Sequence, residues 1–259
     1  ENWRNLISVG SKPLAITNCL NFGNPEKEKN MGEFVECVEG ITEASKYLEF
    51  PVVSGNVSFY NETKDKSIKP TPTIGGVGLI NNYKNMITMD FKKSGNLVYV
   101  IGKTEGHLDQ SVFAKDVLNE KKGPPPSINL FNEKNIGETI LNLIENKLIF
   151  SCHDISLGGI LAAVSKMCIK GKKGLKINSL KTLINKFEYF FGEDQGRYII
   201  EISKENSQKV NEILNNNSVH FDDLGAIEGK SLTFNDDINL PIEELSNTHT
   251  YWLQRYMNN

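Results

Sequence analysis

Four polar, glycine-bearing segments punctuate this chain, and each stands where an apolar run stops or starts. They are "TNCLNFGNP" (Thr17 to Pro25), "SGNVS" (Ser54 to Ser58), "CHDISLGG" (Cys152 to Gly159) and "FGEDQGR" (Phe191 to Arg197). The first two close strand-like stretches, the third opens a helical one and the fourth precedes a strand. A chain punctuated in this way alternates strands and helices and leaves backbone exposed between them, so its class is α/β or α+β.

The intervening runs carry that reading. Lys12 to Cys19 alternates as a strand. From Met31 to Leu48 the apolar residues Phe34, Val35, Val38, Ile41, Ala44 and Leu48 recur at three and four, the spacing of an amphipathic helix. "FPVV" predicts a short buried strand leading into a loop, and "TPTIGGVGLI" a second strand whose glycines mark a close approach of backbone or ligand. A turn at Ser94-Gly95-Asn96 leads into a strand over Leu97 to Ile101 and sets a domain boundary near Phe91, giving domains 1–91 and 92–259. Beyond it the pattern predicts helices around Ser111 to Leu118 and Ile136 to Asn146, then strand, loop and helix over "FSCHDISLGGILAAVSKM". "GLKINSL", "RYIIEIS" and "SVHFDDLGAI" read as strands, "ENSQKVNEILNN" and the tail "THTYWLQRYM" as helices.

Composition narrows the function classes. With 39% hydrophobic and 24% charged residues over 259, the chain is ordinary globular material. A net charge of -3, with lysines interleaved among acids, offers no field for nucleic acid or a membrane surface. The four cysteines form no CxxC pair, which points to a reduced, cytoplasmic setting. No apolar run approaches the roughly 20 residues that span a bilayer. The opening "ENWRNLISVG" reads as the middle of a helix and begins with Glu1, so a longer parent chain is expected.

Each punctuating segment has a definable chemistry. Loops of Gly, Asn and Ser at strand ends present backbone N–H groups and side-chain amides that cradle phosphate oxygens. Gly55 lets backbone approach a ligand, and Asn56 offers a carbonyl oxygen of the kind Mg²⁺ accepts alongside carboxylates and phosphates. In "HDISLGG" the glycines precede a helix whose N-terminus favours an anion, although Asp154 and Ser156 are also ordinary caps. Glu193 and Arg197 read equally as a salt bridge, and Asn18 as the closure of an Asx-turn. The consecutive Cys152, His153 and Asp154 are not a nucleophilic triad, because neighbours on an extended segment point to opposite faces. His107, His220 and His249 lack metal-ligand spacing, so neither thiol chemistry nor a zinc site is expected.

In order, "KPLAITNCLNFGNPEK", "PVVSGNVSFYNET", "TPTIGGVGLI", "ITMDFKKSGNLVYVIGKTEGHLDQS", "GPPPSINL", "SCHDISLGGILAAVSKM" and "FGEDQGRYIIEI" resemble the second half of the ATP-using subunit of phosphoribosylformylglycinamidine synthases. These belong to the superfamily of aminoimidazole ribonucleotide synthetase. The resemblance runs over nearly the whole chain and is weakest after about Glu205. It implies an internally duplicated subunit. Each unit has an N-terminal domain giving half of a central β-barrel and a larger C-terminal α/β domain. On this resemblance the chain would be the second unit, with the catalytic histidines and most carboxylate ligands in the first.

The reaction implied is ATP-dependent conversion of formylglycinamide ribonucleotide and glutamine-derived ammonia to formylglycinamidine ribonucleotide, with Mg²⁺, in purine biosynthesis. The partners implied are the N-terminal half of the same subunit, a glutaminase subunit and a small accessory subunit. Carried onto matching positions, Asn18 and Gly55 contact ATP, Asn56 binds Mg²⁺ and Ser58 contacts the ribonucleotide. At the position of Asn18 the family commonly has a carboxylate. Asp154, Ser156, Gly158, Gly159, Glu193, Gln195 and Arg197 match signature loops that would line an auxiliary phosphate or nucleotide site. Within the superfamily, aminoimidazole ribonucleotide synthetase, selenophosphate synthetase and thiamine-phosphate kinase need their own acidic ATP-binding segment near the start. The longer "CLNFGNPEK" and "NVSFYNET" stretches argue against them. An alternative of another class is a non-catalytic scaffold half that binds a structural nucleotide and docks auxiliary subunits. Severed from its other half, the chain is expected to form a homodimer through its exposed half-barrel edge.

Overall fold

The computed structural model describes residues 1–178, 184–235 and 237–258. They fall into two compact units, one of Glu1–Ile7 with Ser11–Asn81 and one of Ser8–Gly10 with Asn82–Asn259. Phe91 thus lies inside the second unit, where it is buried and its N–H donates to the Met167 carbonyl at 3.4 Å. That contact draws the stretch after Asn81 to the second core rather than the first.

The first unit runs α1 (Asn2–Ser8), β1 (Lys12–Asn21), α2 (Glu28–Tyr47), β2 (Val52–Ser58), β3 (Glu62–Thr63), β4 (Lys66–Ser67) and β5 (Thr71–Leu79). A three-stranded sheet has the order β2-β1-β5, with β1 parallel to β2 and antiparallel to β5. Its core is thin: Trp3, Ile16, Leu20, Phe22 and Phe50 are buried, while α2 is half-buried at best along its apolar stripe. Phe22, Phe34 and Phe59 lock the ends of β1 and β2 to α2 through edge contacts, with centroids at 5.2 and 5.0 Å.

Strand β2 differs from its sequence reading. The run "FPVV" predicts a buried strand followed by a loop, but the strand extends through Ser58 and is exposed over Val52–Val57. Val53 is 70% accessible. Its apolar run sits at the sheet's edge with one side unpaired, a position sequence periodicity alone does not distinguish from a covered one. The first strand, expected over Lys12 to Cys19, is there and runs two residues further, through Asn21.

The second unit runs β6 (Leu97–Ile101), α3 (Val112–Asp116), α4 (Leu130–Glu145), β7 (Ile149–Asp154), α5 (Gly159–Gly171), β8 (Leu175–Ile177), α6 (Lys186–Phe191), β9 (Tyr198–Ile202), α7 (Ser207–Asn216), β10 (Phe221–Ile227), β11 (Ser231–Phe234), β12 (Ile238–Pro241) and α8 (Ile242–Met257). Residues 179 and 180 of the strand expected over "GLKINSL" lie outside the described part. The seven-stranded sheet has the order β12-β11-β8-β10-β6-β9-β7 and is antiparallel except between β8 and β11. Val98, Val100 and Ile199 join Ile160, Val164 and Met167 of α5 in one core, while the alternate residues Tyr99, Ile101, Ile200 and Ile202 are equally buried on the other face. Helices on both faces of one sheet make the unit α/β, as the alternation of elements predicts. Among the described residues no helix is long and apolar enough to cross a membrane.

One carboxylate pins the entry to this sheet. Glu201, in the middle of β9, is fully buried. It accepts from Lys92 N at 2.7 Å, Lys93 N at 3.0 Å, Asn96 Nδ2 at 2.7 Å and Ser151 Oγ at 2.8 Å. These bonds fold the 92–96 turn over the sheet. Glu201→Ala leaves four donors without their acceptor and should lower the unfolding free energy by about 3 kcal/mol, with Glu201→Gln in between. Urea unfolding of the two variants measures this, and an unchanged midpoint in Glu201→Ala would contradict it.

Candidate functional site

The sequence-predicted residues of the first unit come together on β1 and β2. Their register places Asn18 beside Gly55, Cys19 beside Asn56 and Asn21 beside Ser58. Asn18 is therefore mid-strand and closes no Asx-turn. A side chain on Gly55 would overlap Asn18 Oδ1 and come within 2.7 Å of the Asn18 carbonyl. The space above Gly55 is thus filled by the Asn18 amide, and the glycine is what lets that amide lie across the neighbouring strand.

Alternation then divides the four residues. Asn18 and Gly55 share the face that carries the buried Ile16 and Leu20, whereas Asn56 and Ser58 lie on the opposite face. Because β2 is the open edge of the sheet, a ligand lying along that edge reaches both faces. Ser54 to Val57 are all exposed there.

The end of β2 is fixed by residues that sequence reading passed over. Asn61 Nδ2 donates to Phe22 O at 2.9 Å and Ser58 O at 3.0 Å, and lies 3.1 Å from Ser58 Oγ. Glu62 Oε1 accepts from Asn24 N at 3.2 Å, Lys27 Nζ at 2.8 Å and Ser67 Oγ at 2.6 Å. Asn30, buried in α2, donates to Asn24 O at 2.8 Å and Ser67 Oγ at 2.9 Å. This polar knot ties the loop after β1 to the β3–β4 hairpin and so holds Ser58 in place. The only trace of it in the sequence is the "NET" that follows "SFY".

In the second unit the auxiliary loops are occupied by their own chain. Glu193, buried, receives Val112 N and Gly158 N on Oε1, both at 2.8 Å. The N-cap position of α5 is Gly158, in a left-handed conformation (φ +82°), rather than Asp154 or Ser156, and Glu193 holds its amide. Asp154 is buried at the end of β7 with its carboxylate 3.2 Å from His153 Nδ1, and Ser156 accepts from Gly159 N through its carbonyl at 3.0 Å. Glu193 and Arg197 do not pair with each other. Arg197 is fully buried and donates to Asp194 O at 3.1 Å, Thr104 Oγ1 at 3.0 Å and Gly192 O at 2.7 Å. Gln195 alone of the predicted set lines the adjoining cavity of about 650 Å³, together with Lys103, His107, Glu133 and Asp194. Burial pushes the Cys168 thiol up to about 12 and the Cys152 thiol well above its usual value, with Asp154 adding to the second. Both stay protonated at neutral pH, which removes their nucleophilic form.

Comparison with known families decides the chain's kinship. Residues 1–80 match AIR synthase related protein, N-terminal domain, and residues 93–236 match AIR synthase related protein, C-terminal domain. The chain belongs to the AIR synthase related family. Within that family it matches phosphoribosylformylglycinamidine synthase subunit PurL of Pelagibacter ubique at 67% identity over its full length and 36% of the relative. The same subunit of Bartonella bacilliformis matches at 40% over the full chain and 35% of the relative. The chain thus spans about a third of the curated relatives it matches. Among solved structures, Thermotoga maritima PurL complexed with ATP aligns over 94% of this chain and 39% of that one, with a TM-score of 0.72 at 18% identity. The hydrogenase maturation protein HypE aligns over 90% and 74%, with a TM-score of 0.65 at 11% identity. These two show the AIR synthase fold. The resemblance drawn from "KPLAITNCLNFGNPEK" onward is borne out at the level of the family.

The knot makes a pH-dependent feature. Glu62 is held from an ordinary 4.5 down to about 2, first by the Lys27 ammonium and then by the Ser67 hydroxyl. Its folded value lies below its unfolded one, so its stabilisation is complete above about pH 4.5 and is lost as pH falls toward 2. A carboxyl-detected NMR titration should place the Glu62 midpoint near 2, and Glu62→Gln should loosen the loop after β1 already at neutral pH, read by amide exchange. A midpoint at the ordinary value would mean the knot does not persist in solution.

Proposed function

We propose that this chain is the second synthetase-like unit of a phosphoribosylformylglycinamidine synthase and supplies one wall of its ATP and substrate site. The observation that carries this is the pairing of Asn18 with Gly55 beside an open edge strand, in a chain matched along its whole length by that subunit of Pelagibacter ubique. The reaction joins ammonia to formylglycinamide ribonucleotide at the expense of ATP. In that reaction ATP phosphorylates the amide oxygen and ammonia displaces the phosphate. Such chemistry rests on positioning and on charge neutralisation more than on covalent help from side chains.

The roles we assign follow the faces of the strands. Asn18 presents its amide to the nucleotide on one face, with Gly55 leaving room for it. Asn56 and Ser58 present a carbonyl oxygen and a hydroxyl on the other, toward Mg²⁺ and the ribonucleotide. Among the described residues no three of His, Cys, Asp and Glu are grouped to hold a metal. Asn56 therefore fits Mg²⁺ only as one neutral ligand, with phosphate oxygens, water and carboxylates from elsewhere completing the shell. When bound, the ion supplies charge neutralisation on the phosphates. The catalytic acid–base groups belong to the N-terminal half of the same subunit. Ammonia would come from a glutaminase subunit docked with a small accessory subunit, and a solved relative is the PurLQS of Thermotoga maritima.

Testing starts with ATP hydrolysis in the presence of Mg²⁺, ammonia and formylglycinamide ribonucleotide, with and without the upstream half in trans. The expected result is no turnover alone and turnover when the halves are combined. Substrate-dependent turnover by this chain alone would overturn the shared-site reading. In the combined enzyme Gly55→Ala, which drives Asn18 out of place, should lower kcat/KM about 100-fold, and Asn56→Ala should raise the Mg²⁺ concentration needed for activity. An Asn18→Asp variant with unchanged ATP affinity would favour the scaffold reading at that position.

Exposed apolar side chains stand on all three strands of the first sheet, Leu14 on β1, Val53 and Val57 on the edge strand β2, and Val77 and Leu79 on the other edge strand β5. The chain by itself should cover them by pairing with a second copy. Light scattering at micromolar concentration should give the mass of a dimer, and a monomer would refute this.

A further inference from the structure

The cavity of the second unit has a set of donors on one wall that is already in use. The N–H groups of Glu105, Gly106 and His107, three in succession, converge on the Asp194 carboxylate at 3.1, 3.0 and 3.0 Å. The Arg197 guanidinium lies 3.6 Å from Asp194 Oδ2 and has no exposure to solvent. Gly106 takes φ +83°, and a side chain there would lie 2.7 Å from Glu188 Cβ, so only glycine turns the loop this tightly. Successive amides curled around one point, backed by a guanidinium, are the donor set that holds phosphate, sulfate or carboxylate oxygens. Both Asp194 and the three amide-bearing residues face the cavity.

We propose that Asp194 is a built-in anion: the 105–107 loop and Arg197 form an oxyanion site that the chain fills with its own carboxylate. A tethered ligand competes at a high effective concentration, so free phosphate in solution does not displace it. The cavity is therefore closed to phosphate at the wall best built to receive it, and the auxiliary phosphate site expected from "FGEDQGR" is present as a fold but satisfied from within. Glu193 does the same one residue earlier, at the amides of Val112 and Gly158. Neither statement depends on the synthase reading, since both concern the second unit's own donors.

Removing the carboxylate opens the site. With D194G, inorganic phosphate, sulfate or formate, titrated against chloride at constant ionic strength, should raise the Tm by several degrees and saturate. The unaltered protein and D194N, whose amide still fills the space, should show no saturable rise. A folded D194G that ignores all three anions would overturn the proposal, and so would an unaltered protein that gains as much from phosphate as D194G does. If D194G does not fold in chloride, refolding yield becomes the readout. Recovery in formate or phosphate supports the internal anion, and failure in all three contradicts it.

Discussion

A guanidinium with no access to water must be surrounded by oxygen, and Arg197 meets that demand at the start of a central strand. Its nitrogens take the carbonyls of Gly192 and Asp194 and the hydroxyl of Thr104, with the Asp194 carboxylate alongside. Those partners belong to the turn before β9 and to the loop after β6, so one side chain fixes where both loops run. Asp194 then carries the constraint onward to three amides of the 105–107 loop, and Glu193 to the starts of α3 and α5. The shape of the cavity follows from this sequence of contacts. The guanidinium charge is met beside it by Asp194, while the adjacent Glu193 is held by the amides of Val112 and Gly158.

The first unit obeys a different logic. Its sheet has three strands, few fully buried side chains and an edge strand whose backbone and apolar side chains face solvent. Such a sheet holds its shape through local ties at the strand ends, here the aromatic contacts of Phe22, Phe34 and Phe59 and the knot around Glu62. Three of the four residues read as a ligand wall, Gly55, Asn56 and Ser58, lie on that open edge, and Asn18 stands next to it on β1. An edge with nothing paired to it is available to a nucleotide or to another chain, and the exposure that weakens the unit is what makes it usable.

Much of the fold was legible because periodicity and turn chemistry report local structure directly. The stripe from Phe34 to Ala44 lies within α2 and Leu48 is its C-cap, and the Ser94-Gly95-Asn96 turn leads into β6 at Leu97. The β3–β4 hairpin was not legible: its two central residues, Lys64 and Asp65, take φ +50° and +61° without the glycine or asparagine that usually announces such a turn. Nor was the exposure of β2, because "FPVV" is as apolar as a covered strand. At the candidate site, the residue types were readable and their partners were not. Glu193 and Arg197 suggested a salt bridge by proximity in sequence, yet Glu193 is satisfied by the distant amides of Val112 and Gly158, and Arg197 by Gly192 and Asp194 of its own turn together with the distant Thr104.

Asn18 and Gly55 fit together by packing rather than by charge. An aspartate carboxylate and this chain's amide have the same shape, and the register would place either one over the same glycine. What changes is charge. A carboxylate there would repel phosphate unless a metal or an ammonium group lay between them, whereas an amide can donate to a phosphate oxygen directly. An amide at this position therefore keeps the geometry of the strand pair without needing a cation between it and a phosphate. In the proposed site, metal binding would then fall to Asn56 on the opposite face and to ligands outside this chain.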